Sequence, residues 1–393
     1  MNVSIRWPEC RLTRRVMLKR IGIVACLSTL TGWKEAYAAD RKLDTSFDEL
    51  VKSVGYTKEG PGLAVLVHQP GQPEYIRCTG LATLNQRQPV TSSTMFELAS
   101  VTKSITGTAV LMLQDRRQLK VTDDVRKYIP ELPEYDKKNP IQIRHLAQHT
   151  SGLASYFDLQ DVPAKKTGYW LNSDYVGEFA RQNVPLDFPT GQKFAYNNTN
   201  YLLLAVIIAR VTGKAYGEFL RDAIFDPAGM KTAFVSEGPG SIPSVNGRMD
   251  AIGYGKEDGE WKPLWGLPPA RQETLLTCGD GAVWCSLEDM LAWDKALRAK
   301  KLMKPETAKL AVTPSRTKDG QTNPYGYGWN LYYNNPKQLN GFGHVGGWGG
   351  FGTYYYHDLL TGRTTVMLGN GLPIDMDKFW YSLMDLVNKH GLE

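Results

Sequence analysis

Regular patterning begins at Pro61-Gly-Leu-Ala-Val-Leu-Val-His68, an apolar run bounded by Pro and Gly on both sides, which predicts a strand; Glu74–Gly80, across Gly71, predicts its hairpin partner. From about Ser100 to Arg117 the period changes, and Ile105, Ala109, Leu111 and Leu113 predict a mostly buried helix. Residues 120–235 are mainly helical in pattern, with Tyr201–Arg210 the most apolar segment, stopped by Thr212-Gly213. Residues 236–277 are rich in Gly, Pro and Trp and read as long surface loops of the kind that shape substrate access. Strand patterns return at 325–333, from His344 onward and at 364–368, and a closing helix is predicted over 376–389. Strands at both ends with helices between them imply one α/β domain assembled from both termini, carrying a helical insertion at about 120–235.

The N-terminus breaks this pattern. Residues 13–38 present paired Arg14 and Arg15, a modest apolar run from Ile21 to Leu30, and Ala36-Tyr37-Ala38, the features of an export signal with an A-x-A cleavage site; the Thr-Arg-Arg-Val-Met-Leu-Lys order resembles a twin-arginine signal. Residues 1–38 are therefore expected to be removed, leaving 39–393 as a periplasmic domain; the alternative is a lipoprotein box ending at Cys26. The formal charge of the whole chain is +6, but residues 1–38 hold seven of its 46 Lys/Arg and two of its 40 Asp/Glu, leaving 39 against 38. The basic balance thus belongs to the signal, and neither nucleic acid nor an anionic membrane is expected as a partner. No later apolar run approaches the roughly 20 residues of a transmembrane helix. Cys78, Cys278 and Cys285 remain in the mature chain, and at these spacings they do not make a disulfide framework, although a Cys278–Cys285 bridge is open. His145 and His149 stand at a metal-ligand spacing, but without a third ligand nearby a packing or helix-end role is expected, and no metal.

Candidate chemistry lies elsewhere. Gly341, Gly343 and Gly346 spell G-x-G-x-x-G, yet the β-prone run Phe351–His357 follows where a phosphate-binding loop needs a helix, so no nucleotide cofactor is expected. In Glu97-Leu-Ala-Ser-Val-Thr-Lys103, Ser100 and Lys103 sit three apart at a helix start, which puts a hydroxyl nucleophile and an amine base on one face. A second copy, Ser315-Arg-Thr-Lys318, follows Pro314 and runs into Asp319-Gly320 without an apolar helix behind it, and reads as a solvated loop. A buried lysine must be neutral to accept a proton, so a second polar group would ease the transfer; Tyr196 and Asn198, before an uncapped helix start, can supply it.

With these residues in view, the chain resembles the penicillin-recognising serine hydrolases, the superfamily of class C β-lactamases, DD-peptidases, D-amino-acid amidases and related esterases. The resemblance rests on Ser100-Val-Thr-Lys103, Tyr196-Asn-Asn198, His149-Thr-Ser-Gly-Leu153 and His344-Val-Gly346, and covers about residues 60–390. It implies a β-lactamase/transpeptidase-like α/β (α+β) fold, with an antiparallel sheet built from N- and C-terminal strands and flanked by helices. It also implies roles: Ser100 as nucleophile, Lys103 and Tyr196 sharing the proton work, Asn198 orienting Lys103 and substrate, and His344 keeping the site electropositive or hydrogen-bonded. Gly346 and Gly347 would form a close-approach wall, with the Gly347 and Ser100 amides as oxyanion hole. Val345 departs from the family pattern, which usually has a hydroxyl there to bind a substrate carboxylate. That favours an esterase or D-amino-acid amidase or peptidase over a β-lactamase or DD-carboxypeptidase; a slow-turnover penicillin- or peptidoglycan-binding protein is the alternative of another class. The expected partner is a small-molecule or peptide-like ester or amide, with no cofactor; oligomeric state is left open.

Overall fold

A computed structural model describes residues 44–159, 169–238, 250–264, 274–335, 338–372 and 376–389. The export signal expected at 1–38 lies outside the described residues. Strands β1 (Leu63–His68), β2 (Tyr75–Thr79), β3 (Asn330–Asn335), β4 (Gln338–Trp348), β5 (Phe351–Asp358) and β6 (Thr364–Gly369) form one six-stranded sheet in the order β3-β4-β5-β6-β1-β2. Every neighbouring pair is antiparallel, and the two termini meet where β1 pairs with β6, Leu63 opposite Gly369.

All six residues of β1 are buried because both faces of the sheet are covered. Alternation of side chains sends Leu63, Val65 and Val67 to one face, where they pack with Phe47 and Val51 of helix α1 (residues 44–53) and with Phe379, Leu383 and Val387 of the closing helix. Ala64 and Leu66 point the other way, into the larger core with Ile105 and Ala109 of helix α2 (Thr102–Asp115). Helix α2 is buried from Thr102 to Leu113, which explains its nearly continuous apolar pattern. Further helices at Asn172–Gln182 (α3) and Asn198–Thr212 (α4) make up the inserted region, α4 ending on Gly213 in the left-handed conformation (φ +69) as its Thr-Gly stop predicts. A helix at Leu287–Arg298 (α5) and the closing one at Met376–Lys389 (α6) complete the set that frames the sheet.

Three expectations are corrected. The 325–333 strand starts only at Asn330: Gly328 takes φ +84, and a Cβ on it would lie 2.2 Å from the Lys103 carbonyl oxygen, so this stretch is a tight turn pressed on α2. Ser315-Arg-Thr-Lys318 is not simply solvated, since Ser315 is buried in a two-stranded ladder with residues 322–323. Within 236–277 the described residues include a hairpin, Tyr254–Glu257 with Glu260–Pro263. Cys78, Cys278 and Cys285 carry no disulfide.

Candidate active site

Ser100 lies in a 3-10 turn, Ala99–Val101, that leads directly into α2. Ala99 holds φ +47, a conformation that costs an alanine about 1 kcal/mol and is retained because the surroundings fix it. The fixing contacts are visible: Leu98 N–H donates to the Val283 carbonyl, and the Thr353 hydroxyl of β5 donates to the Leu98 carbonyl at 2.7 Å. Gly346 of β4 lies against the same turn; a Cβ there would stand 2.5 Å from Leu98 O and 3.0 Å from Ser100 N. The absent side chain is what lets the strand reach the turn.

One helical turn on, Lys103 is completely buried. Its Nζ donates to Ser100 Oγ at 2.9 Å and to the Asp280 carbonyl at 2.7 Å, and stands 5.1 Å from the centre of the Tyr196 ring. The spacing of three in sequence thus brings hydroxyl and amine into contact. Tyr196 is 46 % exposed and rests on the imidazole of His149, ring centres 4.5 Å apart. His149 is held in turn: Asn197 N–H and Asn200 Nδ2 both donate to its Nδ1, at 3.2 and 3.1 Å. Burial and the nearby Lys103 charge push the His149 imidazole well below its ordinary range, so it is neutral. The helix start expected to be uncapped is capped, by the Asn197 side chain accepting from Thr199 N–H; Asn198 is then the first residue of α4, with its Oδ1 buried and without a hydrogen-bond partner.

His344 faces inward. Its Nδ1–H donates to the Val345 carbonyl at 2.7 Å, which leaves Nε2 to accept from the Tyr325 hydroxyl at 2.9 Å. Burial, with Lys103 adding, pushes its pKa down to about 3. It is therefore a hydrogen-bonding group and not a source of positive charge, which removes the electropositive half of the expectation. Val345, one residue on, alternates to the other face and is 37 % exposed. β3 pairs with β4 no further than Gly343, so from His344 to Trp348 the outer backbone edge of β4 has no strand beside it among the described residues and runs past the Ser100 turn. All the glycines of the G-x-G-x-x-G are in this strand, and no helix follows.

A cleft of about 280 Å³ opens beside Ser100, Asn198 and Gly347. Its walls come from the loop after Leu153, from 251–253 and from 275–282, together with Trp348 and Phe351. Two carboxyl groups sit in the wall: Glu97 accepts from Ala282 N–H at 2.8 Å, and Asp280 Oδ2 accepts from the Tyr156 hydroxyl at 2.9 Å while its Oδ1 is buried without a partner. Burial raises Glu97 to about 7. Asp280, His149 and the apolar wall were not singled out as site residues on sequence. The one local signal was Gly279-Asp280-Gly281, where Gly279 has φ +98 and a Cβ would collide with the Tyr201 carbonyl. Among the described residues no group of His, Cys, Asp and Glu is placed to hold a metal.

This arrangement can be set beside known proteins. Penicillin-binding protein 4* of Bacillus subtilis (strain 168) is 30% identical over 312 residues, 78% of this chain and 67% of that protein. A D-aminopeptidase of Gluconobacter oxydans (strain 621H) is 30% identical over 270 residues, 68% of this chain but 48% of its own length, so the chain spans about half of that relative. In fold, the chain is similar to a penicillin binding protein from Bacillus halodurans (TM-score 0.70, 24% identity, 87% of this chain and 98% of that one). It is likewise similar to the D-amino acid amidase from Ochrobactrum anthropi SV3 complexed with D-phenylalanine (TM-score 0.70, 19% identity, 88% and 99%). A family model described as Beta-lactamase matches residues 45–388, which takes in both halves of the sheet, the Ser100 turn and the inserted helices. The serine–lysine contact at the head of α2 is thus embedded in a fold shared over residues 45–388, and the chain belongs to the Beta-lactamase family of penicillin-recognising serine hydrolases.

Proposed function

We propose that the protein is exported and hydrolyses an amide or ester through an acyl-enzyme on Ser100, with D-amino-acid amides or peptides and simple esters as the favoured substrates. The observation that carries this reading is the buried Lys103 Nζ, 2.9 Å from Ser100 Oγ, beside an open cleft. In its neutral form Lys103 takes the Ser100 proton as Oγ attacks the carbonyl carbon. The oxyanion is met by the amides of Ser100 and Gly347, each worth about 3 kcal/mol in the transition state. Tyr196, 5.1 Å from Nζ at its ring centre, passes the proton to the departing nitrogen or oxygen. Water then attacks the ester on Ser100 along the reverse proton route, and the acid product leaves. Asn198, with an unused Oδ1, orients Lys103 and the substrate amide. Neutral His344 holds the strand by its two hydrogen bonds, and Gly346 lets that strand approach.

A substrate panel tests the reading: p-nitrophenyl acetate, a D-amino-acid p-nitroanilide and nitrocefin, with burst analysis. Turnover of the first two at rates well above nitrocefin is expected. A stoichiometric burst with no steady state on all three would instead mark a slow-turnover penicillin-binding protein. Val345 is where β-lactam chemistry enters. The swap to threonine conserves shape and adds a hydroxyl on the exposed face of β4; a charge-assisted hydrogen bond there is worth about 1.5 kcal/mol, so Val345→Thr should raise kcat/KM on β-lactams roughly tenfold and leave acetate esters alone. No gain, on a wild type already efficient with nitrocefin, would show that another group binds the carboxylate.

Export rests on Arg14-Arg15 and Ala36-Tyr37-Ala38. Among the described residues no helix is long and apolar enough to cross a membrane. N-terminal sequencing of periplasmic material should begin near Ala39; a lipid-modified Cys26 would replace the cleaved signal with a lipoprotein anchor.

A further inference from the structure

The cleft beside Ser100 is walled mainly by hydrocarbon. Phe157, Leu276, Ile252, Trp284, Trp348 and Phe351 line it, and the rings of Phe157 and Trp348 touch, with centres 5.7 Å apart and planes inclined by 35°. These two rings come from different segments, Phe157 from the loop after Leu153 and Trp348 from the last position of β4, one residue past Gly347. Behind them the walls are fixed: Tyr156 stacks on Phe157 at 4.2 Å, and Trp284 meets Phe351 edge-on at 5.3 Å. The carboxyl groups that share the wall are partly occupied: Glu97 accepts from Ala282 N–H and Asp280 Oδ2 from the Tyr156 hydroxyl, which leaves Asp280 Oδ1 and Asn198 Oδ1 as the buried acceptors without a partner beside the apolar wall.

Position relative to the nucleophile says which part of a substrate enters. Ser100, Asn198 and Gly347 border the cleft, while Tyr196, the group argued above to protonate the leaving atom, is outside its lining. The cleft therefore lies on the acyl side of the scissile bond. We propose that it is an acyl-group subsite for a bulky apolar, aromatic side chain, with Phe157 and Trp348, whose touching rings form one aromatic wall, as the specificity-determining residues against which the ring packs. This rests on the reading of Ser100 as nucleophile for its kinetic test, but not for its binding test. An aromatic ring removed from water and packed against these two gains from both area and ring geometry, about 10- to 100-fold over a methyl group.

Two measurements decide it. First, kcat/KM for p-nitrophenyl 3-phenylpropanoate over that for p-nitrophenyl acetate should be about 30 or more in the wild type, and should fall about tenfold in Phe157→Ala and in Trp348→Ala. Trp348→Leu, which keeps apolar bulk without the indole, should fall between, and its circular dichroism checks the fold. Second, calorimetry on Ser100→Ala, which has no nucleophile, should show 3-phenylpropanamide binding at least tenfold tighter than propanamide, with the difference lost when Phe157→Ala or Trp348→Ala is added. If neither ester is cleaved but the amide difference appears, the nucleophile assignment fails and the subsite stands. Equal binding of the two amides, or a preference that survives both ring truncations, overturns the subsite.

Discussion

Ser100→Ala will lower kcat/KM by about 10⁴-fold or more on every ester or amide that the wild type hydrolyses, without a measurable loss of stability. The hydroxyl contributes one accepted hydrogen bond from Lys103, and Lys103 keeps its second bond to the Asp280 carbonyl when the hydroxyl is gone. Fluorophosphonate labelling, read by intact mass, should add one adduct to the wild type and none to the variant; an adduct that persists and maps to Ser315 would move the nucleophile elsewhere. Lys103→Met belongs to the same experiment. Methionine fills the buried stem but cannot accept a proton, so kcat should fall about 10³-fold or more while the melting temperature holds or rises, because a buried amine has been replaced by hydrocarbon. Lys103→Ala would confuse the two effects by opening a cavity under Ser100. Labelling of Lys103→Met at the wild-type rate would show that some other group draws the proton from Ser100.

How much of this was readable before the structure depends on the range of the forces involved. Helix α2 and its Ser100–Lys103 pair were legible because helical spacing is local: three residues fix which side chains share a face, whatever packs outside. Strand β1 was legible too, as a bounded apolar run, although its burial on both faces follows only from α1 and α6 covering one side. The 325–329 segment misled because alternating Tyr325, Tyr327 and Trp329 suit a strand locally; what decides is the Gly328 backbone pressed on Lys103, a contact 225 positions away in sequence. His344 shows the same limit. It was singled out on sequence through its motif, but its charge depends on burial and on Tyr325, and no neighbour in sequence reports either. His149 was assigned a packing role, and it packs, yet against Tyr196, which gives that packing a bearing on the chemistry. The cleft wall was illegible for a simpler reason: Phe157, Leu276 and Trp348 obey no common period, being brought together by three separate loops and strand ends.

The two neighbouring glycines of β4 separate packing from chemistry. Gly346→Ala places a methyl 2.5 Å from Leu98 O, 2.3 Å from Thr353 Oγ1 and 3.0 Å from Ser100 N, and two of these three atoms are backbone of a turn already strained at Ala99. The turn cannot yield without moving Ser100, and the Thr353–Leu98 hydrogen bond cannot yield without loosening the turn from the sheet. Gly346→Ala should therefore cost about 1–3 kcal/mol of stability and, through displacement of Ser100, about 100-fold in kcat. Gly347→Ala meets nothing within 4 Å, and its backbone lies outside the left-handed region, so its stability should stay within about 0.5 kcal/mol of wild type. Its methyl instead projects from the exposed face of the strand beside the cleft, where the substrate backbone must come close, so the expected effect is a raised KM, larger for amides with a bulky acyl group than for acetate esters. Urea denaturation midpoints and steady-state kinetics on both variants check this. A Gly346→Ala protein with wild-type kcat would mean that β4 does not hold the nucleophile's turn, and an unchanged KM in Gly347→Ala would mean that substrate does not run along this strand.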